Sequence, residues 1–236
     1  MRFIPKAAEP NSLRVWKQEN RDAPQVLEFS NLTLPVRQVL HESMLKEQGW
    51  LCAYTMIRIG RAVGPTGAKD FHIEHILPRS RHPDRSLNYD NMVLCSPGPM
   101  AAQCGYGAQK KGGADVNGEN FVSPLNPTCE SRLSYRLNGE VRATTTDDAA
   151  AIRTVHLLAL NHPNLVEARI EALRSHGLGP NARRPISAAK AIGLADLITK
   201  ADQNGQIPSL CIAIKQVAER FAQQRRAHAA RLNPGA

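Results

Sequence analysis

The stretch that decides the fold begins with Phe71-His72-Ile73-Glu74-His75-Ile76-Leu77-Pro78 and runs on to residue 112. Apolar and polar residues alternate from Phe71 to Glu74, which is typical of a strand, and Pro78 marks its end. The alternation predicts two faces: Phe71, Ile73, His75 and Leu77 on one side, and His72, Glu74 and Ile76 on the other. Two histidines and a carboxylate on one short strand make a poor core and indicate a site.

The rest of this stretch predicts a second strand and a short helix. A polar, basic loop over residues 79–90 leads to Asn91, and the apolar run Met92-Val93-Leu94-Cys95 reads as a strand. The segment that follows, to residue 113, is rich in Gly and Lys and predicts a short helix. The order is therefore strand, long loop, strand and helix.

The flanking sequence predicts a mixed α/β module followed by helices. A helix is expected from Pro35 to Gly49, a strand at Met56-Ile57-Arg58-Ile59, and a hairpin at Asn138-Gly139. Helical periodicity then begins near Thr146, resumes after Pro163, and returns over 187–200 and 209–229. The predicted fold class is α+β, with an N-terminal extension (1–34), a mixed module (35–145) and a basic, mainly helical region (146–236).

Composition favours a polyanionic partner. The 236 residues carry a formal net charge of +9, and residues 180–236 contribute nine Lys and Arg against three Asp and Glu. An excess of positive charge indicates nucleic acid rather than an acidic protein. The first residues lack the apolar run of a signal peptide, and no apolar stretch is long enough for a membrane span, so we expect a cytoplasmic protein without a membrane partner.

The residue types on the first strand suit phosphodiester hydrolysis. That reaction needs an activated water, positive charge on the scissile phosphate and stabilisation of the leaving oxygen. His75 could act as general base, and the adjacent Glu74 could hold a hard cation such as Mg²⁺. Neighbours on a strand face opposite ways, so this pairing requires the strand to twist or bulge before Pro78.

At this point the residues resemble a known family. The segments His72-Ile73-Glu74-His75-Ile76-Leu77-Pro78, Leu87-Asn88-Tyr89-Asp90-Asn91-Met92-Val93-Leu94-Cys95, Cys104-Gly105 and Lys110-Lys111-Gly112 are similar to HNH endonucleases of the ββα-metal fold. The resemblance is to the PtuB type, the nuclease of Septu and retron-associated anti-phage defence. Two further segments are similar to that group: Leu51-Cys52-Ala53-Tyr54-Thr55 and Pro124-Leu125-Asn126-Pro127-Thr128-Cys129-Glu130.

The resemblance implies a role for several residues. It makes His75 the general base, Glu74 a ligand of Mg²⁺ or Mn²⁺, and Asn91 the residue that braces the loop and orients the His75 ring. Lys110 or Lys111 would face the phosphate. We expect Arg79 and Arg81, together with both lysines, to attract the nucleic acid backbone without reading sequence.

The chain departs from the family at the third metal position. The family presents a His or Asn on the closing helix, whereas this chain has Gly105-Tyr106-Gly107-Ala108-Gln109 between Cys104 and the lysines. Gln109 could supply an amide oxygen, or His72 or a water could fill the gap. The alternative is a weakly bound metal.

The cysteines leave a zinc site open. Four of them fall in the same module, namely Cys52, Cys95, Cys104 and Cys129, but they lack the paired Cys-x-x-Cys spacing. They could form a structural Zn²⁺ site. The preferred interpretation is that these cysteines are small, buried, hydrophobic side chains.

Two functions are therefore compared. The first is a metal-dependent HNH endonuclease that cuts nucleic acid, most simply DNA, in anti-phage defence beside a PtuA-like ABC-type ATPase or a retron reverse transcriptase with its DNA. The second is a nucleic-acid-binding or scaffold module of the same complex with weak or no catalysis, which the missing third ligand favours.

Overall fold

The computed structural model describes residues 1–63, 68–99, 101–179, 182 and 184–232. The fold is α+β and mainly helical, as predicted. The helices are α1 (Asn11–Glu19), α2 (Leu34–Gln48), α3 (Gly107–Lys111), α4 (Cys129–Arg132), α5 (Ala149–Leu157), α6 (Pro163–Ser175), α7 (Ala188–Leu197) and α8 (Cys211–Leu232). None of the helices described is long and apolar enough to cross a membrane.

The strands form antiparallel pairs. They are β1 (Ala62–Val63), β2 (Ala68–Lys69), β3 (His72–His75), β4 (Met92–Cys95), β5 (Leu133–Tyr135) and β6 (Val141–Ala143). Within the described ranges each sheet has two strands, β1 with β2, β3 with β4 and β5 with β6. Because each sheet is narrow, helices and loops must cover most of its apolar surface.

Several local predictions are confirmed. The helix expected from Pro35 is α2, and it ends at Gly49, which adopts the left-handed conformation with φ of 59°. The predicted hairpin is the β5–β6 pair. The Asp148 side chain caps α5 by accepting from the amide of Ala151, and α6 begins at Pro163.

The strand predicted at Met56–Ile59 is wrong. Met56 has a φ of 59°, which turns the chain sharply, and the amide of Cys52 donates to the carbonyl of Ile57 at 2.8 Å. Of the expected strand, only Arg58 takes part in a β-bridge, which pairs it with Leu51. A β-branched run favours a strand locally, but here a tight turn takes its place.

One continuous core joins the three predicted segments. Buried members come from all of them, for example Leu13, Leu40, Leu94, Leu133 and Ile214. Helix α8 packs against α6, α7 and β5, so the C-terminal helices cover the β5–β6 hairpin. The boundaries at residues 34 and 145 stay predictions, and the helical region shares its core with the mixed module.

Helix α2 fixes β4 in place. The Gln48 side chain is 2% exposed, and its Oε1 accepts from the amide of Leu94 at 2.7 Å. Its Nε2 donates to the carbonyls of Leu94 and Leu51 at 2.9 and 2.7 Å. The Gln48 side chain thus pairs with the amide and the carbonyl of Leu94 that face away from β3. Left unpaired, these buried backbone groups would be costly.

Candidate active site

The β3–β4 ladder is regular along the whole of β3. His72 lies opposite Cys95, Ile73 opposite Leu94, Glu74 opposite Val93, and His75 opposite Met92. The expected twist or bulge before Pro78 is therefore not seen as far as His75. His72 and Glu74 share one face of β3, and His75 lies on the other.

Asn91 braces the long loop between the two strands. Its Oδ1 accepts from the amide of Leu77 at 2.7 Å, and its Nδ2 donates to the carbonyls of Leu77 and Arg85 at 3.0 and 3.2 Å. The Asn91 residue is 5% exposed. The loop-bracing contacts expected from the resemblance are present, while a catalytic contribution of Asn91 stays a prediction.

His75 is held on the core side of the strand. Its Nε2 donates to the carbonyl of Ser86 at 2.9 Å, and its ring meets the edge of Phe29 with the ring centroids 4.7 Å apart. Burial lowers the pKa of His75 to about 4; the Ser86 carbonyl opposes this shift, and the nearby Arg79 and Lys111 add to it. His75 is therefore a neutral, oriented ring that is only 5% exposed.

Glu74 forms a buried ion pair with Lys111. The Glu74 Oε1 lies 2.7 Å from the Lys111 Nζ, which also donates to the carbonyl of His75 at 3.1 Å. The Lys111 side chain is fully buried, with 0% of its surface exposed. Burial raises the pKa of Glu74, and the Lys111 ammonium opposes that shift. Lys111, expected to face the phosphate, instead points into the protein.

His72 lies on the same face as Glu74 and reaches solvent. Its Nδ1 is 2.7 Å from the carbonyl of Pro97, and its Nε2 is 4.0 Å from the Glu74 Oε2. The His72 side chain is 29% exposed and that of Glu74 is 14% exposed. This face of β3 therefore presents a partly exposed imidazole beside a carboxylate.

Tyr54 belongs to the same cluster and was missed as a site residue in the sequence. It is 1% exposed, and its hydroxyl has no hydrogen-bond partner of normal geometry among the residues described. Burial, and next the charge of Glu74, raise the pKa of Tyr54 well above its ordinary value. The family-like segment around Tyr54 was visible in the sequence, but a single tyrosine there gave no signal of its contact with the carboxylate.

The Mg²⁺ or Mn²⁺ ligand set expected from the sequence is incomplete as the residues are arranged. Gln109 uses its Oε1 to accept from the amide of Cys104 at 2.7 Å, and one oxygen of Glu74 is held by Lys111. That leaves the other Glu74 oxygen and one nitrogen of His72, so most of the coordination sphere would have to come from water or phosphate oxygens. No cluster of three or more His, Cys, Asp or Glu side chains suited to a metal occurs within the described ranges.

The four cysteines do not come together as one ligand set. Cys52, Cys95 and Cys129 are buried, and Cys104 is half-buried. Cys52 Sγ accepts from the amide of Ser96 at 3.4 Å, whereas the Cys104 thiol donates to the carbonyl of Tyr106 at 3.3 Å. The Cys52 and Cys95 thiols contact each other, but no group of three or more potential metal ligands is found among the described residues. The zinc site stays a prediction.

Three of the predicted phosphate-binding cations are exposed. Arg79, Arg81 and Lys110 all reach the surface. The Arg79 guanidinium lies 4.9 Å from the centre of the Phe29 ring, and the Arg81 Nε donates to the carbonyl of Gly113 at 3.0 Å. These contacts attach the loop to the N-terminal segment and to the segment after α3.

Comparison of the sequence with protein-family models and with curated proteins finds no match.

Proposed function

We propose that this protein is an endonuclease that hydrolyses phosphodiester bonds of nucleic acid, most simply DNA. The observation that carries the proposal is the arrangement of β3, the loop braced by Asn91, β4 and α3. It brings the His72 imidazole and the Glu74 carboxylate to one face of β3, while the loop and α3 carry exposed cations. The same order of elements supports the ββα-metal fold and the HNH resemblance of the sequence.

The exposed charges of the loop and of α3 suit a polyanionic backbone. Arg79 and Arg81 extend from the loop, Lys110 lies on α3, and the chain as a whole carries a net charge of +9. Exposed Arg and Lys attract phosphates by a sequence-independent electrostatic contribution. This supports nucleic acid as the substrate class.

The chain's own residues supply the groups used in the proposed chemistry. The sequence favours Mg²⁺ or Mn²⁺, but the contacts of Glu74 and Gln109 leave only one carboxylate oxygen and the His72 imidazole for a hard cation. No step is therefore assigned to a metal. Lys111 neutralises the Glu74 carboxylate within the protein, and the exposed cations neutralise the phosphate outside it.

The setting of the activity follows from the resemblance alone. PtuB-type nucleases imply anti-phage defence, with a PtuA-like ABC-type ATPase as partner. We propose the same setting here, and co-expression with a PtuA-like ATPase tests it. A stable complex that cleaves DNA would support the partner, and separate elution of the two chains would contradict it.

The second candidate function is a nucleic-acid-binding module without catalysis. The Glu74–Lys111 pair favours it, because the pair consumes one carboxylate oxygen and buries the ammonium. Such a module would keep the exposed cations and bind nucleic acid without cutting it.

One experiment separates the two candidates. The purified full chain is incubated with plasmid DNA, single-stranded DNA and RNA, in Mg²⁺, in Mn²⁺ and in EDTA, with and without the ATPase. Cleavage that is retained in a His156→Ala control, changed at an exposed histidine of α5, supports the nuclease. Binding without cleavage under every condition supports the module, and neither binding nor cleavage contradicts both.

A further inference from the structure

We propose that the exposed end of α8, residues 223–231, is a binding site for double-stranded DNA, with the helix lying in the major groove. The inference rests on the proposed function, which takes nucleic acid as the ligand, and deepens it by naming the form of nucleic acid. The site uses no residue of β3, β4 or α3.

Helix α8 runs from a buried first part into the exposed end. Ile214, Val217 and Ala222 are buried in the core. Residues 223–228 and 231 are all exposed, although the chain stays helical to Leu232. At 1.5 Å per residue, the exposed end is about 13 Å long. The core therefore holds the base of the helix and leaves its last turns to solvent.

The exposed end carries positive charge and no carboxylate. Residues 220–232 contain four arginines and one histidine but no Asp or Glu. A solvated helix surface gains stability from pairs of opposite charge four residues apart, and here these cations have no such partner along the segment. The nearest acid in the sequence, Glu219, pairs with Lys215. The helix dipole favours a cation in the last turn, which accounts for Arg231 but not for the arginines before it.

The arginines surround the helix instead of forming one face. At 100° per residue, Arg226 lies about 100° and Arg231 about 240° around the axis from Arg225. An acidic protein surface would meet only one side of such a helix. The major groove of B-DNA has phosphates along both edges, and its width of about 12 Å admits a helix about 10–12 Å across. Guanidinium groups on opposite sides can then bind phosphates of both strands.

The exposed end has no apolar stripe. The positions between its arginines are filled by polar or small residues, among them Gln223, Gln224, Ala227 and His228. A helix that docks in a protein groove or on a lipid surface needs a continuous apolar face. The composition therefore favours a polyanion over either of these partners.

The base of the exposed end is anchored to the β5–β6 hairpin. Arg220 donates to the carbonyl of Tyr135, and α8 packs against β5. Burial lowers the pKa of Arg220, and the charge of Arg136 lowers it further, so the two guanidinium groups lie near each other. Arg136 is exposed and extends the positive surface onto the body of the protein. A helix fixed at its base loses less freedom on binding than a flexible basic tail.

The test measures binding of the full chain to a labelled DNA duplex by fluorescence anisotropy, in EDTA. The triple variant Arg225→Gln, Arg226→Gln, Arg231→Gln removes charge with little change in helix propensity. Its affinity should fall by about tenfold or more, and the slope of log affinity against log salt should fall by about 3. The matched control Arg14→Gln, Lys46→Gln, Lys200→Gln removes the same charge at exposed positions of the body and should bind as the wild type does.

A second pair of variants separates the helix from its charge. Ala227→Pro keeps every cation but interrupts the helix within the exposed end, so it should also weaken duplex binding. Ala227→Gln keeps the helix and should bind normally. The loss in the triple variant should be larger for duplex DNA than for the single strand or for duplex RNA, whose major groove is too deep and narrow for a helix.

Three results would overturn the inference: equal binding by the triple variant and the matched control, normal binding by Ala227→Pro, or equal losses on duplex DNA, single strand and polyglutamate. The last of these would indicate an acidic partner in general. Cleavage is measured separately in Mg²⁺ and Mn²⁺. A wild-type chain that binds the duplex through α8 but cuts nothing contradicts the nuclease and leaves this site in place, whereas a chain that binds no nucleic acid contradicts both.

Discussion

The two faces of β3 differ in what surrounds them, although both carry a histidine. On one face, His75 packs against Phe29 and binds the carbonyl of Ser86, so its ring is fixed, neutral and nearly inaccessible. On the other, His72 keeps Nε2 free beside Glu74 and reaches solvent. The comparison teaches that a histidine near a carboxylate in sequence is not thereby near it in space. The face decides which histidine meets both carboxylate and water.

The largest expected effect comes from breaking the ion pair beneath the solvent-facing side. Lys111→Met leaves the Glu74 carboxylate without its buried partner and should lower the free energy of unfolding by about 3–5 kcal/mol. Urea denaturation measures this. Lys110→Met, at the exposed neighbouring position, should change stability by less than about 0.5 kcal/mol. Equal stability of the two variants would contradict the buried pair.

His75→Ala should destabilise the fold by roughly 2–4 kcal/mol, since it leaves a cavity against Phe29 and an unpaired Ser86 carbonyl. His72→Ala, on the half-exposed face, should cost less than about 1 kcal/mol. The sequence predicts that His75→Ala abolishes cleavage with folding intact; the structure predicts that any loss of activity accompanies loss of stability. Thermal midpoints of both variants distinguish these outcomes.

Low pH should reduce the free energy of unfolding through His75, which lies on the buried face of β3. Because burial lowers the pKa of His75 from 6.5 to about 4, the unfolded chain binds a proton between those pH values that the folded chain does not. The contribution to stability is present above pH 6.5 and is lost as the pH falls to 4, by on the order of 3 kcal/mol. Urea unfolding at several pH values measures the slope, and His75→Phe should reduce it. Burial also lowers the pKa of His41 to about 4 and lowers the pKa of His176, so a background with His41→Gln and His176→Gln removes the contributions of these two histidines.

The smallest effects should come from the exposed cations of the loop and of α3. Arg79→Ala, Arg81→Ala and Lys110→Ala should each weaken DNA binding moderately and lower the slope of log affinity against log salt by about 1. Fluorescence anisotropy over a salt series measures this. Lys190→Ala, on the exposed surface of α7, serves as the matched control and should leave the slope unchanged.

Local patterns predicted much of the fold. The α2 helix with its glycine stop, the β4 strand and the β5–β6 hairpin each follow from periodicity or turn chemistry within a few residues. The strand at 56–59 failed because the Cys52–Ile57 contact turns the chain back there. That turn carries no glycine or proline to reveal it.

The candidate site was predicted in its residue types but not in its contacts. Lys111 falls beside Lys110 in the sequence, and both looked like solvated or phosphate-facing charges. Only the packing of α3 on β3 buries one ammonium and leaves the other exposed. Phe29 was likewise passed over, because the N-terminal segment showed no chemistry of its own, yet it meets His75.

The sequence by itself determined that His72 and Glu74 share one face of β3 and that His75 lies on the other. Side-chain alternation is a property of the extended backbone and needs no partner. Only the tertiary structure decided which face is buried. That choice depends on Phe29, Ser86 and Lys111, which lie 46, 11 and 36 residues from His75 along the chain. Contacts at such separations arise from packing of the whole core, which no local pattern contains.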